Sequence, residues 1–129
     1  MSEMSRKRIL VIDDAALVRT YYRAALEPRG FIVEEALNGV EGLEKLLLEP
    51  FDLAIVDVNM PQMDGITFLQ TLRAKELPVS GIPVLVTSSE AGTQDLTAAR
   101  RAGANYYLVK PIRQETLADY AAMFCGEPR

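Results

Sequence analysis

Histidine and tryptophan are absent from the 129 residues, and cysteine occurs once. Without histidine there is no Ser-His-Asp or Cys-His nucleophile system and no imidazole-ligated metal site. A lone Cys125 cannot form an intramolecular disulfide, which fits a reducing compartment. It reads as a small apolar residue of a C-terminal helix rather than a redox centre. No apolar run approaches the ~20 residues of a membrane span. In the opening "MSEMSRKRILVIDD" the run "ILVI" stops at two aspartates, too soon for a signal peptide. Excess positive charge is missing as well: the net charge is -4, whereas phosphate backbones call for a basic surface. The short cluster Arg6-Lys7-Arg8 reads as a solvated chain start. A cytoplasmic protein with no nucleic-acid and no membrane partner is expected, its chemistry confined to carboxylate, hydroxyl and lysine.

What is present describes an ordinary globular chain, 49% apolar and 25% charged, long enough for one domain with a proper core. Residues 1–129 are read as a single domain. Four short apolar runs recur: "ILVI" (Ile9 to Ile12), "LAIV" (Leu53 to Val56), "PVLV" (Pro83 to Val86) and "YYLV" (Tyr106 to Val109). Unbroken runs of this kind suit parallel strands covered on both faces. A fifth, "FIVEEA" (Phe31 to Ala36), turns polar midway, as an edge strand does.

Helical spacing fills the gaps. Leu17, Val18, Tyr21, Tyr22, Ala25 and Leu26 form one apolar stripe, and Val40, Leu43 and Leu47 another. Ile66, Leu69 and Leu72 follow, and Leu117, Tyr120, Ala121 and Phe124 close the series. "TQDLTAARRAG" is weaker in pattern but ends on Gly103, a good C-terminal cap. Pro28 and Gly30 end the first helix, and Asn38-Gly39 opens the second. Strand and helix alternate five times, which predicts an α/β domain: a five-stranded parallel sheet in a three-layer (βα)5 sandwich. The flavodoxin-like order 2-1-3-4-5 is the leading topology, with ligands expected beyond the carboxyl ends of the strands.

Charged and hydroxyl residues follow the runs at that end: Asp13-Asp14 after strand 1, Asp57 after strand 3, Thr87-Ser88-Ser89 after strand 4, Lys110-Pro111 after strand 5. Three carboxylates, a hydroxyl cluster and an ammonium should therefore converge. At an effective dielectric of ~20, two unit charges roughly 4 Å apart cost about 4 kcal/mol, so either one carboxylate protonates or a cation enters. An all-oxygen site suits a hard divalent ion, Mg²⁺ leading, and no EF-hand spacing occurs. With a metal beside it, Asp57 can act as a nucleophile toward phosphorus, giving an acyl phosphate. The metal and Lys110 would then screen the phosphoryl oxygens.

"VIDD", "DVNMPQMDG", "VTSSEA" and "YYLVKP", in this order on alternating βα units, resemble the receiver domains of two-component response regulators of the CheY-like kind. The resemblance implies a signalling switch rather than a turnover enzyme. Asp57 would accept a phosphoryl group, and Lys110 would contact its oxygens. Asp14 would hold Mg²⁺ directly and Asp13 through water, with Asp57 and the backbone carbonyl of Asn59 as further ligands. The switch hydroxyl is expected at Ser88, because alternation along the strand turns Thr87 to the other face. Tyr107 matches the family's switch aromatic, and Asn59 and Glu90 stand where the family tunes self-dephosphorylation. A cis Lys110-Pro111 bond is also implied.

The implied phosphodonor is a phosphohistidine on a sensor histidine kinase or a histidine phosphotransfer protein. The implied output is a change in the face made by helix 4, strand 5 and helix 5, read by a downstream protein. The chain ends at "MFCGEPR" just after helix 5, so no output domain is expected within it; a receiver excised from a larger regulator is the alternative. An FMN-binding flavodoxin-like protein shares the topology but wants a Ser/Thr-rich phosphate loop where Asp13-Asp14 stands. An aspartyl-nucleophile phosphatase wants a D-x-D motif where "DVN" stands. Ser89 and Ile112 depart from commoner family residues without removing a chemical requirement.

Overall fold

In the computed structural model, which describes residues 6–89 and 92–126, five strands alternate with five helices. The strands are β1 (Arg8–Ile12), β2 (Ile32–Ala36), β3 (Leu53–Asp57), β4 (Val84–Ser88) and β5 (Tyr106–Val109). The helices are α1 (Ala16–Leu26), α2 (Gly39–Leu48), α3 (Gly65–Arg73), α4 (Thr93–Ala102) and α5 (Gln114–Cys125). All pairings are parallel, in the order β2-β1-β3-β4-β5 that the sequence predicts, and the half-polar β2 does lie at an edge.

Period-2 alternation divides the core between two faces. Ile9, Val11, Leu53, Ile55 and Leu85 pack with Leu26 of α1 and Leu117 of α5. Leu10, Ile12, Val56 and Val86 pack with Leu43 of α2, Phe68 of α3 and Ala99 of α4. Each of the large side chains fully removed from water contributes about 1.5–3 kcal/mol. The helix limits follow local chemistry. Asn38 and Asp64 cap α2 and α3, their side chains accepting from the N–H groups of Glu41 at 2.9 Å and Thr67 at 2.8 Å. Gly103, at φ 111, closes α4 in the left-handed region where glycine is favoured.

Two helix faces differ from the expected stripes. In α1, Leu17 is 85% exposed and Tyr21 is 42% exposed, while Arg19 is buried in their stead. In α2, Val40 and Leu47 are exposed and Gly42 faces β1. A Cβ at Gly42 would lie 2.6 Å from Ile12 Cδ1, so the helix approaches the sheet through its glycine and turns the bulkier residues outward. Arg8 is no solvated chain start either: it pairs with Glu34 and Glu49 and lies over the Phe51 ring.

Candidate functional site

The acidic residues owe their positions to sheet bonds that run one step past the strands. Asp13 N–H donates to Ala36 O at 3.1 Å, Val58 N–H to Thr87 O at 2.9 Å, and Lys110 N–H to Ser88 O at 2.7 Å. The backbones of β1, β3 and β5 are thus fixed where the reactive side chains begin. Behind them sits Gly65, whose missing Cβ would lie 2.5 Å from Asp57 O and 2.9 Å from Val58 Cα. The start of α3 is pressed against the end of β3, and a larger residue there would displace it.

Asp13, Asp14 and Asp57 each present a carboxylate oxygen, all within 4.8 Å of one another. Asp13 and Asp57 are buried, while Asp14 stands open to solvent. Lys110 closes the group, its Nζ lying 3.2 Å from Asp13 Oδ2 and 3.2 Å from Asp57 Oδ1. Burial lifts the Asp57 carboxyl above the ordinary aspartate range; Lys110 opposes this, and the Asp13 and Asp14 charges add to it. Burial alone would lower Lys110, but the Asp13 and Asp57 charges outweigh it and keep the ammonium protonated. Beneath them the Tyr22 phenol is pushed up to about 12 by burial and stays neutral beside Thr87 and Lys110.

One ammonium against three carboxylates leaves the cluster with excess negative charge. Its donors are all oxygen, and its Asp14 side is open to water. That chemistry fits a hard, partly hydrated divalent cation such as Mg²⁺ and not a soft one. Among the described residues this is the acidic group able to hold a metal.

The hydroxyl and aromatic candidates fall on sorted faces. Ser88 is fully buried at the end of β4, on the same face of the sheet as Val84 and Val86. Half-buried Tyr107 pairs in register with Val86 and packs against that same cluster. Thr87 lies on the opposite face, 3.5 Å from Val56 O. Asn59 is exposed on the loop after β3. Glu90 lies outside the described residues. The Lys110-Pro111 bond is cis, as is Leu77-Pro78.

A surface that sequence reasoning passed over adjoins the carboxylates. Leu17, Val18, Tyr21, Ser89, Pro111 and Ile112 border an open groove of about 540 Å³ that reaches Lys110. Tyr21 Oη donates to Ile112 O at 2.8 Å and ties α1 to the loop after β5. The signal was the width of the α1 apolar stripe: Leu17-Val18 and Tyr21-Tyr22 together span more than one buried face.

The family profile of the response regulator receiver domain matches residues 9–122. Chemotaxis protein CheY-3 of Vibrio cholerae is 36% identical over 113 residues, covering 87% of this chain and 86% of that protein. Transcriptional regulatory protein PrrA of Mycobacterium leprae is 36% identical over 109 residues, 84% of this chain but 46% of that protein. The high-resolution structure of the chemotaxis response regulator CheY4 of Vibrio cholerae superposes with a TM-score of 0.87 at 31% identity, covering 93% of this chain and 99% of that one. Among the described residues no helix is long and apolar enough to cross a membrane.

Proposed function

The chain belongs to the response regulator receiver domains, and on that premise we propose that it is a phosphoacceptor switch whose acceptor is Asp57. The observation that carries this reading is the position of Lys110 Nζ, 3.2 Å from both Asp57 and Asp13 within a cluster of three carboxylates. Such a cluster is costly unless a proton or a cation offsets its charge.

Asp57 attacks the phosphorus of a phosphohistidine donor in line with the leaving imidazole. An O–P bond forms, the N–P bond breaks, and the imidazole nitrogen retains the electron pair. Asp13, Asp14 and Asp57, with the Asn59 carbonyl, would hold Mg²⁺, which when bound supplies positive charge to the crowded oxygens and to the phosphoryl group. Lys110 meets the phosphoryl group as a fixed point charge. Water then attacks the phosphorus, the O–P bond to Asp57 breaks and inorganic phosphate leaves, which resets the switch; Asn59 and Glu90 are the residues assigned to tuning that rate.

Two surfaces support the reading of the partners. A phosphohistidine-bearing protein, either a sensor histidine kinase or a histidine phosphotransfer protein, docks its apolar flank in the groove beside Leu17, Tyr21 and Pro111. This groove is an apolar surface that borders Lys110. The new phosphoryl group draws in the Ser88 hydroxyl and frees room for the Tyr107 ring. The α4-β5-α5 face then shifts toward a form that binds a downstream protein. Support comes from Ser88 and Tyr107 sharing one face of the sheet. The proposed setting is the cytoplasm, where such donors reside.

The test is incubation with acetyl phosphate and Mg²⁺ followed by intact mass. Wild type should gain one phosphoryl group and Asp57→Asn none; an equal gain in both would move the acceptor elsewhere.

A further inference from the structure

Arg19 is a buried cation outside the carboxylate cluster, only 9% exposed in the middle of α1. Burying a guanidinium is costly unless its donors are satisfied, and the partners of this one are specific. Its Nη1 donates to the main-chain carbonyl of Asp13 at 2.7 Å, and its Nε donates to Glu35 Oε1 at 2.8 Å. Glu35 lies on the edge strand β2, where Arg23 holds its second oxygen at 2.9 Å and Lys45 of α2 grips its main-chain carbonyl at 2.6 Å. Arg19 is thus clamped from outside and reaches in to the residue that begins the acidic turn.

The rest of Asp13 is equally committed. Its N–H donates to Ala36 O at 3.1 Å, its Oδ1 accepts from Ala15 N–H at 2.9 Å, and its Oδ2 faces Lys110 at 3.2 Å. Arg19 takes the remaining polar group, the carbonyl that leads into Asp14. That peptide unit sets the direction in which the Asp14 carboxylate leaves the turn. Asp14 itself is exposed, so the backbone is what aims it.

We propose that Arg19 is a positioning residue for the divalent cation: bridging Glu35 and the Asp13 carbonyl, it pre-sets the 13–15 turn so that Asp13 and Asp14 converge with Asp57. This rests on the reading of those carboxylates as the metal holders. The planar fork is what allows one side chain to serve a carbonyl and a carboxylate in different directions, which a lysine ammonium does not reproduce. Residues that orient metal ligands typically cost 10–100-fold in affinity when lost.

The experiment titrates Mg²⁺ into the full chain by calorimetry and, separately, follows phosphorylation by acetyl phosphate as a function of Mg²⁺ concentration. Melting in EDTA is recorded alongside. Arg19→Met should weaken Mg²⁺ about tenfold or more, yet phosphorylate at a saturating rate within about twofold of wild type, since every reacting group remains. Arg19→Lys should fall between the two. Arg23→Met, which removes only the outer half of the clamp, should lower the melting temperature but leave Mg²⁺ affinity unchanged. Should Arg19→Met not fold, Arg19→Lys decides: wild-type Mg²⁺ affinity in it overturns the proposal. Equal losses in the Arg19 and Arg23 variants would also overturn it, by showing a structural role alone. Failure of wild type to bind Mg²⁺ would instead refute the reading of the site itself.

Discussion

Asp57→Asn should stabilise the metal-free protein and remove most of its response to Mg²⁺. At an effective dielectric of ~20, unit charges at the 4.8 Å outer limit of the cluster repel by about 3.5 kcal/mol. Lys110 at 3.2 Å attracts by about 5 kcal/mol on the same basis. Asp57 meets two such repulsions and one attraction, a balance against the charged form of about 2 kcal/mol. Solvent around exposed Asp14 trims that figure, and the burial of Asp57 adds to it. Asparagine keeps the shape and loses the charge, so a gain of about 1–2 kcal/mol is expected, or roughly 3–8 °C in melting temperature. In wild type, Mg²⁺ at about a hundred times its dissociation constant should add about 2.7 kcal/mol, and the order of the two proteins should narrow or invert. Differential scanning calorimetry at neutral pH, in EDTA and in saturating Mg²⁺, reads both effects. A variant that melts below wild type in EDTA would show that the Lys110 pair outweighs carboxylate crowding. Equal gains from Mg²⁺ in both proteins would remove Asp57 from the metal site.

Gly65→Ala drives a methyl into the Asp57 carbonyl and Val58 Cα; a loss of about 1–3 kcal/mol in urea unfolding is expected, together with slower phosphorylation by acetyl phosphate. Leu17→Asp should slow phosphotransfer from a protein donor while leaving acetyl phosphate unaffected; equal slowing with both would remove the groove from donor docking. Arg73→Met strips donors from the carbonyls of Ser80, Ile82 and Gly103 and should cost about 2–4 kcal/mol in urea unfolding. Glu35 is held below the usual glutamate range by its bond to Arg19, against the effect of burial. Its contribution is therefore fully present above the ordinary glutamate pKa and lost as pH falls through the lowered folded value. The stability gap between wild type and Glu35→Gln should stay constant near neutrality and close on acidification; a gap that widens in acid would contradict the sign.

The fold was legible in the chain because its central parallel strands are buried on both faces, so Ile9–Ile12, Leu53–Val56 and Val84–Val86 stand out as uninterrupted apolar runs; Tyr106–Val109 reads the same way although β5 is an edge strand with Tyr106 and Val109 exposed. The carboxylates were legible for a related reason. A charged residue that directly ends a buried strand can only sit at its mouth, and the strand order sets β1 beside β3, with Lys110 reaching both aspartates from beyond β4. Helix faces were less legible. Leu17 and Tyr21 carry the hydrophobicity of core residues but serve a surface, and Gly42 carries none but occupies the closest approach to Ile12. Arg19 was hidden for the opposite reason: a cation within an apolar stripe reads as solvent-facing until Glu35 and the Asp13 carbonyl are found beside it.

The most direct measurement is borohydride reduction of the protein after exposure to acetyl phosphate and Mg²⁺, followed by peptide sequencing in the mass spectrometer. Borohydride converts an aspartyl phosphate to homoserine, and the account predicts that conversion at position 57 alone. Homoserine at position 13, 14 or any other aspartate, with position 57 unchanged, would contradict it.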